Sequence, residues 1–297
     1  MLLRTFYIVS VLLFVRLLSF SQTIEGTGGP FPIKVSSTPS DTKSNLALII
    51  ANEEFQDKRF AKLNNPLLDA NVISGILKDK FGFETEVLQN ITKDEFIIKL
   101  REYAKKRYNK YDQLMIYFAG HGDFDPVFRQ GYVIFKDSKF ADDTYSHHLS
   151  FAYLEDALSK ISCPHILLTL DVCYGGTFDN YFANRGDELG RGDGLARGSE
   201  AVNSAHSLNA IIYEKLKPKT RLYLSSGGKE TVSDGKKGMH SPFAAAFIQK
   251  LNEAASSEYR MLSVLELKIF LEKQTRTVKM GGFTGNESNS DFLFVAN

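Results

Sequence analysis

The chain has 297 residues, 43% of them hydrophobic, with a formal net charge of +1, 8 prolines and 2 cysteines. That composition excludes a disordered or fibrous chain, and the charge balance gives no basis for a nucleic-acid partner. The length is enough to bury one substantial core, as one large domain or two small ones.

The N-terminus begins with MLLR, a positive start, followed by the apolar run FYIVSVLLFV, which Arg16 interrupts before LLSF. Ser19 and Ser21 stand at −3 and −1 of a cut before Gln22. Residues 1–21 therefore read as a secretory signal peptide. The rival reading is an uncleaved anchor, but a spanning helix needs about 20 apolar residues, and Arg16 cuts the run short of that. The expectation is an exported protein, periplasmic or secreted, with no stable membrane span after cleavage. Residues 22–44 are rich in Gly, Pro, Ser and Thr and read as a linker or N-terminal arm.

From residue 45 onward strands and helices alternate. NLALIIAN (45–52) is a continuous apolar strand. Residues 66–83 carry apolar side chains at Leu68, Val72, Ile73, Ile76 and Leu77, a helical period, with Pro66 suited to the first turn. Residues 84–89 form a short strand. Residues 92–107 form an amphipathic helix, where Thr92 and Glu95 make a capping box. Further strands are predicted at 112–120, 165–171, 221–226 and 291–296, and further helices at 151–161, 241–255 and 262–276. Continuous apolar strands separated by helices predict an α/β domain over 45–297: a mostly parallel sheet covered on both faces. Residues 184–199, NRGDELGRGDGLARGS, lack any apolar period and lie within a long insertion, about 177–219, between two predicted strands. Such insertions are usually functional or mobile.

Sites in open α/β sheets form beyond the carboxyl ends of the strands. Two predicted strands end on reactive residues, one in Gly120-His121-Gly122 and one in Asp171-Val172-Cys173-Tyr174-Gly175-Gly176. If these strands are parallel neighbours, His121 and Cys173 leave the same edge, the arrangement a Cys–His nucleophilic pair needs. Gly122 and the backbone at Cys173 would then bring N–H groups to a substrate carbonyl oxygen, and Gly175 and Gly176 would leave room for the substrate chain. The plain alternative is a core cysteine and a turn histidine. Strand alternation puts Asp171 on the same side as Cys173, where a carboxylate favours a cation. A disulfide between Cys163 and Cys173 is excluded by the strand between them, which at about 3.3 Å per residue carries the sulfurs beyond bridging distance. Cys163 reads as a small buried hydrophobe.

YFAGHGD (117–123) and LDVCYGG (170–176), in this order and separation, resemble the histidine and cysteine blocks of the caspase-like peptidases. A histidine about 50 residues before the cysteine is that family's own spacing. LNNPLLDA (63–70), SSGGKETVSD (225–234) and HSPFAAAFIQKL (240–251) resemble further blocks of the metacaspases and their bacterial relatives. The resemblance implies a caspase-hemoglobinase fold, one six-stranded sheet with helices on both faces. It implies Cys173 and His121 as the catalytic dyad of a cysteine endopeptidase, a hydrolase acting on proteins or peptides. It also implies Asp69 and Asp171 as the walls of a pocket for the residue before the cut bond. Caspases that cut after Asp carry Gln in place of Asp171 and Arg near Asp69, so the reversed charge here predicts cleavage after Arg or Lys. For Asp69 the bland reading is a first-turn acid favouring the helix dipole. Departures from the metacaspase pattern are Ala119, where Ser is common, and Tyr174 followed by Gly.

Relatives are cut between the cysteine strand and the next. Arg185, Arg191 and Arg197, each before a glycine, are the autocleavage candidates, with Lys215, Lys217 and Lys219 nearby. The Arg-Gly-Asp triplets in the same stretch are too short to argue for adhesion. Ser225 and Ser226 are candidates for pairing a substrate strand. The dyad needs no cofactor. No metal set is read from the sequence, although Asp142 and Asp143 raise calcium activation as a question. The rival functions are a catalytically silent caspase-like binding or scaffold module, and transpeptidation through the same thioester.

Overall fold

The computed structural model describes residues 43–173, 175–177, 205–227, 233–275 and 277–297. The predicted signal segment, most of the 177–219 insertion and Tyr174 lie outside the described residues. Strands β1 (Asn45–Ala51), β2 (Phe83–Gln89), β3 (Gln113–Ala119), β7 (His165–Asp171) and β8 (Thr220–Ser225) build a parallel sheet. Strand β10 (Lys279–Gly282) closes one edge antiparallel to β8, giving the order β10-β8-β7-β3-β1-β2.

This is the expected mostly parallel six-stranded sheet, with one strand corrected. The predicted final strand at 291–296 is not part of it. Leu293–Val295 (β11) pairs with Met261–Ser263 (β9) in a separate two-stranded ribbon. The sixth place belongs to KMGG at 279–282, which the two glycines hide from any propensity reading. Gly281 is required there, because a Cβ would lie 2.7 Å from the Tyr223 ring.

Side chains alternate across the sheet and build a core on each face. Ala47, Ile49, Met115, Tyr117, Leu167 and Leu224 face helices α1 (Pro66–Phe81), α5 (Pro242–Ser256) and α6 (Val264–Thr275). Leu48, Ile50, Ile116, Phe118, Leu168 and Tyr223 face α2 (Lys93–Lys105) and α3 (Phe151–Ser159). Helix α4 (Ala205–Lys215) precedes β8. Helix α1 stops two residues early because Gly82 takes the left-handed conformation at φ 66°. The capping box of α2 is present: the Thr92 hydroxyl accepts from the Glu95 amide at 3.2 Å, and Thr92 N–H donates to Glu95 Oε2 at 2.7 Å.

Between β3 and α3 the chain adds a three-stranded antiparallel flap that the sequence did not announce: β4 (Gly122–Asp125), β5 (Gln130–Val133) and β6 (Leu149–Ser150). Its strands are too short to show a period. Asp142 in this region is engaged locally, accepting from Thr144, Ser146 and His147. Among the described residues, no group of three or more His, Cys, Asp or Glu side chains is arranged to hold a metal. No helix among them is long and apolar enough to cross a membrane.

Candidate active site

Strands β3 and β7 are direct neighbours in register, Ala119 opposite Asp171, and the Gly120 amide donates to the Asp171 carbonyl at 3.3 Å. His121 and Cys173 therefore leave the sheet at the same edge, each two residues past its paired strand end. Both line one cavity of about 230 Å³, together with Pro66, Asp69, Asp171 and Asp234. Cys173 is half-buried, in the turn before the 3-10 segment Gly175–Thr177. It is not bridged to Cys163, which is buried at the far end of the same strand, beside His165. Burial pushes the Cys163 thiol up to about 12, which keeps it protonated and inert.

His121 is fixed on two sides. Its Nε2 lies 2.7 Å from the Ala61 carbonyl oxygen. A carbonyl only accepts, so Nε2 carries the proton and Nδ1 is left as the basic nitrogen. The ring lies 4.9 Å from that of Phe55 and stacks on Phe60 at 6.0 Å. Gly122, the first residue of β4, is pressed against the nucleophile's own backbone: a Cβ there would lie 2.0 Å from the Cys173 carbonyl oxygen. Only glycine fits, so the Gly122 and Cys173 backbones lie side by side.

The carboxylates come from three separate elements. Asp171 ends β7 on the sheet face covered by α1 and α5. It accepts from Ser241 Oγ at 2.6 Å and from the Tyr117 hydroxyl at 3.4 Å. Asp69, in the first turn of α1, meets His240 Nδ1 at 2.5 Å and accepts from the Ser241 amide at 3.2 Å. Asp234 accepts from the Asn64 amide at 2.6 Å. Asn65 ties the same loop to the start of α1 by donating to the Asp234 carbonyl and accepting from the Gly238 amide. Burial raises Asp69 to about 6, and the Asp171 charge adds to the rise. Burial also raises Asp171, which is fully enclosed, with a further push from Asp234. Asp69 and Asp171, buried in one cavity, thus resist ionising together.

The structure thus brings four sequence-predicted residues, Asp69, His121, Asp171 and Cys173, into one cavity and sets Gly122 against Cys173. The sequence reading missed Tyr117, Asp234, His240 and Ser241. Ser241-Pro242 is an evident helix start, but its position over Asp171 follows only from the topology. Two expectations are corrected. Gly175 does not open a path for substrate: it is buried, and a Cβ would lie 2.3 Å from Ser225 Oγ, so the glycine lets the turn pack on β8. Ser225 and Ser226 do not offer a strand edge, since Ser225 pairs with Lys279 of β10 and the Ser226 amide donates to the Leu170 carbonyl. Arg185, Arg191 and Arg197 lie outside the described residues.

A thiol and an oriented imidazole at the carboxyl edge of a parallel sheet, beside a shaped pocket, define a cysteine-peptidase site. The model of one family, the Caspase domain, matches residues 44–287, and the chain belongs to that family. Among solved structures, the crystal structure of caspase-1 from Spodoptera frugiperda superposes with a TM-score of 0.51 at 16% identity, covering 86% of this chain and 98% of that one. At that identity the likeness speaks for the fold. No curated protein matches the chain.

Proposed function

We propose that the chain is a cysteine endopeptidase that cleaves proteins or peptides after Arg or Lys. The observation that carries this reading is the single cavity shared by Cys173, His121 and the carboxylates Asp69, Asp171 and Asp234. A cationic side chain held by the acids places the following carbonyl beside the thiol.

His121 Nδ1 takes the Cys173 proton, and the thiolate attacks the carbonyl carbon. The Gly122 and Cys173 backbone N–H groups receive the oxyanion. The imidazolium then protonates the departing amine, leaving a thioester on Cys173. His121 next takes a proton from water, and the resulting attack releases the acid and restores the thiol. Every step uses a protein group or water, so neither calcium nor another cofactor is part of the proposal. A cavity of three acids also favours the metacaspase-like reading over one that accepts Asp. Export with cleavage before Gln22, and self-cleavage after Arg185, Arg191 or Arg197, complete the proposal.

Fluorogenic peptides with Arg, Lys or Asp before the cut bond test it. Turnover of the first two, not the third, and its loss in Cys173→Ala, is the expected result. Absence of all turnover in processed protein, with or without calcium, would leave the scaffold reading in its place. Intact-mass analysis of wild type and Cys173→Ala tests self-cleavage, and identical fragments in both would overturn it.

A further inference from the structure

Asp69 already has a partner. His240, the residue before the N-cap of α5, touches the Asp69 Oδ1 atom at 2.5 Å, while the amide of the next residue holds Oδ2 at 3.2 Å. Both oxygens of this acid are therefore engaged by the 240–241 corner. Asp171 is held by Ser241 and Tyr117, and Asp234 by Asn64, each through Oδ2. The corner itself is held firmly: Ser241 Oγ accepts from the Ala244 amide at 2.9 Å, and the Gly238 amide is tied to Asn65 at 3.0 Å.

We propose that His240 is a positioning residue of the cation pocket: it holds Asp69 against the cavity, and a basic substrate side chain displaces its hold. The imidazole and the incoming cation then compete for one carboxylate, so recognition of the basic side chain is coupled to release of a proton from Asp69. The proposal rests on the reading of the cavity as the site for the residue before the cut bond.

The groups that bear on this proton are few. Asp171 faces the pair from β7, Asp234 from the 233–241 segment, Tyr117 from β3, and His121 and Cys173 from the cavity rim. Burial keeps Tyr117 protonated at any physiological pH. Asp171 and Asp234 add negative charge, which favours keeping a proton on the pair while the pocket is empty. A guanidinium or ammonium removes that preference on entry. The direction follows: the affinity for a basic side chain falls as pH is lowered through about 6, where Asp69 takes up its proton.

The experiment uses agmatine, which carries the guanidinium of an arginine side chain, and calorimetry in two buffers of different ionisation heat. With the Cys173→Ala protein, binding at pH 6 is expected to release protons, and affinity to fall about tenfold from pH 8 to pH 5. Adding His240→Gln keeps a donor toward Asp69 but removes the imidazole that opposes its protonation, so more proton should be released at pH 6 and the fall in affinity should move to higher pH. In the active protein the same change should move the pH profile of KM for an Arg peptide to higher pH and leave that of kcat in place. Unaltered proton release in His240→Gln, or no agmatine binding to Cys173→Ala, would overturn the proposal. Linked agmatine binding without any peptide turnover would uphold it while removing the peptidase reading, so the two fail separately.

Discussion

Ser241 Oγ donates to Asp171 Oδ2 at 2.6 Å and at the same time accepts from the Ala244 amide at 2.9 Å. One hydroxyl thus caps helix α5 and holds a fully buried pocket carboxylate. Replacing it with Ala leaves a buried acid short of a donor and a helix without its cap, each worth about 1 kcal/mol or more. Ser241→Ala is expected to lower stability by roughly 2 kcal/mol and to raise KM for Arg peptides. Ser241→Thr, which keeps the hydroxyl, should restore both. Urea titration and steady-state kinetics on the three proteins check this.

Gly122→Ala puts a methyl 2.0 Å from the Cys173 carbonyl oxygen. The contact is backbone against backbone, so no side-chain rotation relieves it, and the two strand ends must part. Loss of one oxyanion donor alone costs about a hundredfold or more in kcat. The expected outcome is at least that loss, with substrate affinity largely kept. Active-site titration beside kcat measurement separates it from misfolding.

Phe60 stacks on His121 and also contacts Phe140 at 5.4 Å. It is only half-buried, so its removal leaves the core intact. Phe60→Ala frees one face of the imidazole while the Ala61 carbonyl still holds Nε2. A drop of roughly tenfold in kcat/KM is expected, since small misplacements of a reacting group are costly. The melting temperature should move by only a few degrees, which thermal scanning would show.

Asp291 offers a pH test remote from the cavity. Burial raises its carboxyl to about 6, while its Oδ1 accepts from the Val264 and Phe292 amides. The folded state therefore holds this proton more tightly than the unfolded chain, whose Asp titrates near the ordinary value of 3.8. The stabilising contribution is full below that value and is lost as pH rises through about 6. Asp291→Asn keeps the acceptor and removes the charge. It should match wild type near pH 4 and exceed it at pH 8 by on the order of 1–3 kcal/mol. Denaturant midpoints at the two pH values decide it.

Five of the six sheet strands were readable, the central ones because buried parallel strands carry near-continuous apolar runs. IIA, MIYFA and ILLTL have no other use for so many apolar residues in a row. KMGG was not readable, since a short edge strand needs few side-chain contacts and its Gly281 answers to the Tyr223 ring. The β4–β5–β6 flap escaped for the same reason of length. At the site, the pair His121 and Cys173 was visible because each follows a strand and is flanked by glycine. Asp69 and Asp171 were visible through a resemblance and through strand alternation. His240, Ser241 and Asp234 were not, because nothing local marks a residue whose partner lies far along the chain.

That distance has a consequence for how the molecule comes into being. Asp69 meets His240 across 171 residues of sequence, and Asp171 meets Ser241 across 70. A growing chain that has made β1, α1, β3 and β7 already contains the thiol and the imidazole, but its acids still lack the donors that arrive with the 240–241 corner. Contacts of such long range are slow to form. The nascent protein therefore passes through a stage in which its reactive pair exists without a finished pocket, a delay written into the order of its strands.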